Sequence, residues 1–341
     1  MVTMREELAI ATGPSEAREP FDRRAMPPGA REWRWLAPDD HAIRVLDWPE
    51  PDEAPGRGAI LFMAGRGDAY EKYLETFEHW RRRGWGVSAA DWRGQAGSGR
   101  LGSDAYTGHI DDFSLWITEL ARFWSEWAAP RAGSGPLVLA GHSMGGHLVL
   151  RAAVERVLEP SPAALILSAP MLDVLPERIP QSVRHLLART MTLLGDPRRM
   201  AWKYNEKPGL LPATRQVLLT HDDARYADEL WWRTERPELA MGPGSWGWVE
   251  GAMRSIRMLE RPGVLESLAL PVFLFATRAD RLVGIRAAER AAARLPRVEA
   301  LFFGPEARHE ILRETDLVRD RALAAIDAFL ARLASGGTGA A

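Results

Sequence analysis

The hydrophobic positions of the chain fall into short apolar runs that alternate with longer stretches of helical periodicity. A run in which nearly every position is apolar is typical of a strand covered on both faces of a sheet. Such runs occupy residues 59–63, 86–91, 136–140, 163–168, 271–276 and 298–303. Helical patterns lie between or after them, at residues 71–83, 110–127, 148–154 and 316–333. The alternation predicts the α/β class, with a doubly wound and mostly parallel sheet.

The pattern differs towards the two ends of the chain. Residues 1–30 are polar and interrupted by proline, which predicts an N-terminal extension that lies on the surface or is partly disordered. Residues 42–48 alternate between apolar and polar, and with Trp33 and Trp35 they predict antiparallel strands at a sheet edge. The glycine-rich residues 334–341 predict a disordered tail.

One long interval breaks the alternation of strands and helices. Residues 171–262 hold no clear buried strand, although residues 181–194 and 246–259 have helical patterns. Ordinary connections between elements rarely exceed about 12 residues. The interval therefore predicts a helical cap, inserted into a core that consists of residues 31–170 and 263–333.

The predicted cap is rich in tryptophan, and its tryptophans are Trp202, Trp231, Trp232, Trp246 and Trp248. An aromatic cap suits an apolar substrate, and Trp246 and Trp248 are our candidates for substrate contact. If the Trp246-Gly247-Trp248 segment is exposed, we expect it to touch a membrane surface. The alternatives are that both side chains line the pocket, or that they pack the cap onto the core.

Composition excludes several classes of function. The 341 residues carry a formal net charge of −2 without a basic tract, so nucleic acid is not an expected partner. The chain contains no cysteine, which excludes disulfides, thiol catalysis and cysteine-ligated metals. No apolar run of signal-peptide or membrane-span length follows the charged first residues. We therefore expect a cytoplasmic protein; the sequence carries no signal for an oligomeric state.

The pentapeptide Gly141-His142-Ser143-Met144-Gly145 lies between the apolar run 136–140 and a helical pattern. A strand, a sharp turn and a helix form the context of a nucleophile elbow, in which Ser143 attacks the substrate. Glycines at both ends of the motif let strand and helix approach closely. The alternative for the bare motif is an ordinary glycine-serine turn.

A base and an acid for Ser143 are expected after later strands. Reactive groups of open α/β sheets gather at the carboxyl ends of strands. Asp280 follows the run 271–276, and His309 follows the last run. The order serine, acid, histidine predicts a triad in which His309 accepts the serine proton and Asp280 orients the imidazole. The alternatives are a helix-capping role for Asp280, a surface position for His309, and Glu306 as a rival acid.

An oxyanion hole requires two backbone N–H groups near the serine. One is expected from Met144, the residue after the nucleophile, and the other from the loop after an earlier strand. Ala64-Gly65-Arg66-Gly67 follows the run 59–63, which makes Arg66 the second candidate. The alternative is a plain glycine turn.

Taken together, these motifs resemble the monoacylglycerol lipase and lysophospholipase L2 branch of the α/β-hydrolases, a family of serine hydrolases with a helical cap. The segments that carry the resemblance are 64–73, 91–100, 108–113, 141–146, 167–171, 219–226 and 307–312, and it extends over residues 33–333. It implies hydrolysis of a lipid ester, an acylglycerol or a lysophospholipid, without cofactor or metal. It also implies Ser143, Asp280 and His309 as the triad and Arg66 and Met144 as oxyanion donors.

Two positions depart from the family pattern. Many members have histidine in place of Ala64, which supports the oxyanion loop, and histidine is common in place of Trp92. We expect either change to alter substrate preference. The main prediction is an esterase acting on single-chain lipids, cytoplasmic or peripheral to the inner membrane. A small-ester carboxylesterase, a serine aminopeptidase, an acyltransferase and a non-catalytic binding protein remain open.

Overall fold

A computed structural model describes residues 21–51, 56–175, 179–202 and 212–336, and within them eight strands form one sheet. The strands are β1 (Arg31–Leu36), β2 (Ala42–Trp48), β3 (Gly58–Met63), β4 (Trp85–Ala90), β5 (Leu137–His142), β6 (Ala164–Ser168), β7 (Val272–Thr277) and β8 (Val298–Phe303). Their order is β1-β2-β4-β3-β5-β6-β7-β8. β1 pairs with β2, and β2 with β4, in antiparallel orientation. The remaining pairs, from β4 through β3, β5, β6 and β7 to β8, are all parallel. The predicted α/β fold with an antiparallel edge is confirmed.

Helices cover both faces of the sheet. They are α1 (Leu74–Arg81), α2 (Phe113–Ala128), α3 (Met144–Val154), α4 (Gln181–Leu193), α5 (Pro212–Leu219), α6 (Asp223–Glu235), α7 (Trp246–Glu260), α8 (Ile285–Arg294) and α9 (Asp316–Gly336). One apolar core joins the sheet to α2, α3, α7 and α8, and the other joins it to α1 and α9. In β3, Leu61 faces the first core and Phe62 the second, which explains why residues 59–63 are apolar throughout.

The long interval after β6 is helical where the structure describes it. The pattern predicted α4 and α7, but not α5 and α6. In α6 three of the five buried residues are charged, namely Arg225, Asp228 and Glu229, so the buried face is only partly apolar and the hydrophobic periodicity of the helix is weak. Residues 203–211 lie outside the described residues, and the division into core and cap remains our proposal.

The two ends are only partly described. Phe21 packs against Trp48 with ring centroids 6.4 Å apart, and Arg23 and Arg24 bind Asp228 of α6. This part of the extension therefore lies on the surface of the fold, while residues 1–20 are outside the described residues. α9 continues to Gly336, three residues past its predicted end, and the rest of the predicted tail, 337–341, is not described. Among the described helices, none combines the length and apolar character needed to cross a membrane.

Candidate active site

Ser143 occupies a sharp turn between β5 and α3, in the middle of the sheet. Its backbone has φ 53° and ψ −118°, a conformation that costs a non-glycine residue about 1–3 kcal/mol. The flanking glycines are required by close packing: a Cβ on Gly141 would lie 2.6 Å from the carbonyl carbon of Gly145, and one on Gly145 would lie 2.2 Å from the Met63 oxygen. Ser143 is partly exposed, although the residues on either side are buried. The turn thus presents the hydroxyl above the end of the strand.

The structure brings Ser143, His309 and Asp280 into one hydrogen-bonded chain. His309 Nε2 lies 2.9 Å from Ser143 Oγ, and His309 Nδ1 lies 2.7 Å from Asp280 Oδ2. The other oxygen, Asp280 Oδ1, accepts the backbone N–H groups of Leu282 and Val283 at 2.8 and 3.0 Å. The carboxylate is therefore oriented by the loop that follows β7.

The rival acid lies elsewhere. Glu306 is exposed, and its carboxylate accepts the backbone N–H of Gly304 at 3.0 Å. The histidine that binds Ser143 instead faces Asp280, so the geometry supports Asp280 as the acid.

Electrostatics in the buried site match a base and its acid. Burial alone would raise the pKa of the Asp280 carboxyl, but the charge of His309 and its hydrogen bond bring it below the usual value. Burial alone would lower the pKa of His309, but attraction to Asp280 and their hydrogen bond raise it above 6.5. The pair therefore favours an ionised Asp280 and stabilises the imidazolium that a general base forms.

A second histidine lies beside His309. The rings of His142 and His309 are 4.8 Å apart between centroids, and His142 Nδ1 is 3.3 Å from Ser168 Oγ. Burial, with repulsion from His309, lowers the pKa of His142 to about 4. His142 is thus neutral near pH 7 and adds no positive charge next to the candidate base.

The pH dependence of activity is expected to report His309. A general base must be neutral, so kcat/KM falls as the pH drops through the His309 pKa. Since that pKa is raised, we predict half-maximal kcat/KM at a pH above 6.5. The measurement is a pH profile with p-nitrophenyl butyrate. A midpoint near pH 4, where His142 titrates, would contradict this assignment.

The loop that follows β3, residues 64–68, lies directly beside the nucleophile. A Cβ added to Gly65 would be 3.2 Å from the Ser143 Cβ. Met144 is the first residue of α3, where backbone N–H groups lack helical partners. The Arg66 guanidinium donates to the Gly242 carbonyl at 2.9 Å and lies 5.3 Å from the Trp202 ring. Both proposed oxyanion donors therefore belong to segments that adjoin Ser143.

A family model, described as serine aminopeptidase S33, matches residues 54–316 and so contains the whole candidate triad. The chain belongs to the serine aminopeptidase S33 family. Lysophospholipase L2 of Escherichia coli (strain K12) is 29% identical to it over 291 residues, which are 80% of each chain. The sequence resemblance to the monoacylglycerol lipase and lysophospholipase branch of the α/β-hydrolases is confirmed.

Solved structures with low sequence identity show the same fold. A soluble variant of monoglyceride lipase from Saccharomyces cerevisiae, in complex with a substrate analog, matches with a TM-score of 0.72 at 19% identity. The match covers 93% of this chain and 99% of the yeast chain. The monoacylglycerol lipase of Paleococcus ferrophilus gives a TM-score of 0.63 at 21% identity, covering 86% and 98% of the two chains. These structures support the α/β-hydrolase fold of this S33 member.

The two tryptophans proposed as substrate contacts differ in position. Trp248 is 6% exposed, and its indole N–H points to Met144 Sδ at 3.4 Å. It packs against Phe113 and Trp202, with centroids 6.0 and 6.4 Å away. Trp246 is only half-buried, at the start of α7. The prediction of an exposed Trp246-Gly247-Trp248 patch is therefore wrong for Trp248, because its ring is enclosed between the cap interval and the elbow.

Sequence reasoning missed a buried cluster of charges behind the 64–68 loop. The Lys72 ammonium lies 2.8 Å from Asp68, 3.2 Å from Glu229 of α6 and 2.5 Å from Glu310, the residue after His309. All four side chains are at most 5% exposed. One ammonium thus links the loop beside Ser143, the histidine loop and the cap interval. The i,i+4 spacing of Asp68 and Lys72 was the only sequence signal for it.

Two carboxylates of this cluster, together with His142, are close enough to suggest a metal site. Asp68, His142 and Glu310 offer ligand atoms within 4.8 Å of one another. The Lys72 ammonium already lies against both carboxylates and the Arg313 guanidinium also binds Glu310, so two cations oppose the two negative charges. The proposed hydrolysis requires no cation here, and the absence of a cofactor stays a prediction.

Proposed function

We propose that this protein is a serine hydrolase that cleaves the carboxylic ester of a single-chain lipid, a lysophospholipid or a monoacylglycerol. The observation that carries the proposal is the continuous chain of hydrogen bonds from Ser143 through His309 to Asp280. This arrangement activates a hydroxyl as a nucleophile and holds the base in the required tautomer.

The geometry supports a reaction in two stages. Ser143 Oγ attacks the ester carbonyl while His309 Nε2 takes its proton, and the resulting oxyanion is stabilised by the N–H groups of Arg66 and Met144. His309 then gives the proton to the leaving alcohol, which departs and leaves an acyl-enzyme. A water molecule, deprotonated by His309, attacks that ester and releases the fatty acid and Ser143.

The surroundings of the serine favour an alkyl chain. Trp248 contacts both Met144, the residue after Ser143, and Phe113, and all three are buried apolar side chains. Apolar packing around the nucleophile elbow suits a lipid better than a charged peptide. The similarity to lysophospholipase L2 of Escherichia coli (strain K12) supports the same substrate class.

A substrate panel tests the proposal. The purified protein is assayed with palmitoyl lysophosphatidylcholine, monopalmitoylglycerol, p-nitrophenyl butyrate and an aminoacyl p-nitroanilide. We expect the highest kcat/KM for one of the two lipids. Hydrolysis of the anilide alone would replace the lipid esterase by an aminopeptidase, and activity on butyrate alone would replace it by a small-ester carboxylesterase.

A membrane contact is proposed for α4 instead of Trp248. Val183, Leu186 and Leu187 are 52%, 66% and 55% exposed, and Ile179 and Leu194 are 42% and 77% exposed. The spacing 183, 186, 187 keeps these three side chains on one face of α4, away from the buried Ala188, and Ile179 and Leu194 flank the two ends of the helix. An exposed apolar stripe on a helix of the cap interval suits contact with a lipid surface.

We predict that Leu186→Asp/Leu187→Asp lowers activity on lysolipid in vesicles at least tenfold without changing hydrolysis of p-nitrophenyl butyrate. Burial of one leucine is worth about 1.5 kcal/mol or more, roughly tenfold in partitioning. The measured quantity is the ratio of lysolipid hydrolysis to p-nitrophenyl butyrate hydrolysis in each variant. Leu317→Asp is the matched control, since Leu317 is 84% exposed on α9. Equal loss on both substrates would contradict a surface role for α4.

A further inference from the structure

The backbone of the 64–68 loop is held by three buried side chains. The Trp92 indole N–H donates to the Ala64 carbonyl at 2.8 Å. Asp68 Oδ2 accepts the Gly65 N–H at 3.2 Å, and Gln95 Oε1 accepts the Gly67 N–H at 3.0 Å. Trp92, Gln95 and Asp68 are 3%, 1% and 6% exposed. The anchored peptide groups are Ala64–Gly65 and Arg66–Gly67, and they flank the peptide group that carries the Arg66 N–H.

Trp92 and Gln95 come from one turn on the neighbouring strand. They follow β4, which pairs with β3 in parallel, so this turn and the 64–68 loop leave the sheet side by side. The Gln95 N–H bonds the Trp92 carbonyl at 2.9 Å, which closes the turn. Trp92 also packs against Trp116 of α2, with centroids 6.0 Å apart. The support for the loop is thus itself fixed by the sheet and by a core helix.

The burial of the Gln95 side chain beside the 64–68 loop is energetically unfavourable. Its amide nitrogen is buried and has no hydrogen-bond partner among the described residues. A buried donor without a partner destabilises a fold, so packing alone favours an apolar side chain here. The orientation of the amide follows from its neighbour, because only the oxygen can accept the Gly67 N–H. Within the described part of the chain, the one hydrogen bond of the Gln95 side chain is the bond to the Gly67 N–H of the loop.

We propose that Trp92 and Gln95 are positioning residues for the oxyanion site: they fix the Ala64–Gly65 and Arg66–Gly67 peptide groups, and so the Arg66 N–H between them, while the tetrahedral intermediate forms on Ser143. The inference rests on the proposed hydrolase function. Gly65 leaves no room for the loop to shift towards the serine, since even a methyl group there would touch the Ser143 Cβ. Without these two anchors, only the Asp68 bond to the Gly65 N–H, of the three described above, opposes a shift of the loop away from the serine.

The experiment compares Gln95→Met, Gln95→Glu and Trp92→Phe with the wild type. Met keeps the shape of Gln but not the acceptor, Glu keeps an acceptor, and Phe keeps a ring but not the N–H. The readouts are kcat and KM for p-nitrophenyl butyrate, the affinity for an alkyl trifluoromethyl ketone, and the rate of Ser143 labelling by a fluorophosphonate. Misplacing an oxyanion donor costs about 10- to 100-fold in kcat.

For Gln95→Met and Trp92→Phe we expect that loss in kcat, with KM changed less than threefold. Ketone affinity and labelling rate should fall by the same factor as kcat/KM, and Gln95→Glu should recover most of the loss. Trp124→Phe is the matched control, because it also removes an indole N–H bond to a backbone carbonyl, the part-buried bond to Pro160, in a different part of the fold. Its kcat should stay within twofold of wild type.

Two results would overturn the inference. One is a kcat per labelled site within twofold of wild type in both Gln95→Met and Trp92→Phe. The other is a loss that follows thermal stability alone, equally large in Trp124→Phe. If the wild type is labelled at Ser143 but hydrolyses no ester, the proposed function fails, while the labelling rates still decide the roles of Trp92 and Gln95.

Discussion

Replacing Ser143 by alanine is expected to lower kcat for ester hydrolysis by roughly 10⁴- to 10⁶-fold. The hydroxyl forms the covalent intermediate, and without it His309 has no proton to accept from the enzyme. What remains is the stabilisation of a water-derived intermediate by the oxyanion donors. The measurement is the initial rate with p-nitrophenyl butyrate and with lysophosphatidylcholine, after active-site titration of the wild type.

The same position gives a stability control. At φ 53° and ψ −118° a glycine is less strained than serine or alanine. Ser143→Gly lacks the nucleophile and should be inactive. Because glycine relieves the strain, this variant should be more stable than Ser143→Ala by about 1 kcal/mol. Thermal unfolding of the two variants measures this difference. An alanine variant that keeps activity would refute the mechanism, and a glycine variant that is less stable would refute the strain.

Asp280→Asn is expected to lower kcat by roughly 10⁴-fold while the fold is retained. Asp280 Oδ1 accepts two backbone N–H groups, so the asparagine oxygen takes that position and its NH₂ faces His309 Nδ1. His309 Nδ1 must then accept a hydrogen bond, which places the ring proton on Nε2. In this tautomer His309 cannot take the proton of Ser143.

The pH profile separates this effect from a loss of folding. Because Asp280 raises the pKa of His309, its neutralisation should move the midpoint of the residual kcat/KM to lower pH. Glu306→Gln is the control: it removes the rival carboxylate, which bonds only the Gly304 N–H in the described structure, and should change neither kcat nor the midpoint. An effect of Glu306→Gln as large as that of Asp280→Asn would make Glu306 the acid.

The parts of the site that the sequence predicted are those fixed by sheet topology. Ser143, Asp280 and His309 each follow a strongly apolar run, and parallel strands bring their carboxyl ends to the same edge. Order along the chain and strand pattern were therefore enough to predict the contact of three residues that are far apart in sequence.

The parts that the sequence did not predict depend on side-chain direction and on polar burial. Trp248 points to Met144 and not to solvent, which helical periodicity alone does not decide for a residue at the start of α7. The contacts of Lys72 with Glu229 and Glu310 require the packing of α6 against the loops beneath it. Buried charges resemble surface residues in a hydrophobic pattern, so such a cluster has no distinct signal.

The most direct test of the acyl-enzyme mechanism is mass spectrometry of the protein, quenched in acid within the first turnovers on a palmitoyl lysolipid. This mechanism predicts that the wild type carries a palmitoyl group on the peptide that contains Ser143 and releases fatty acid. Ser143→Ala should show neither. Fatty acid release by Ser143→Ala at the wild-type rate, with the Ser143 peptide of the wild type unmodified, would contradict it.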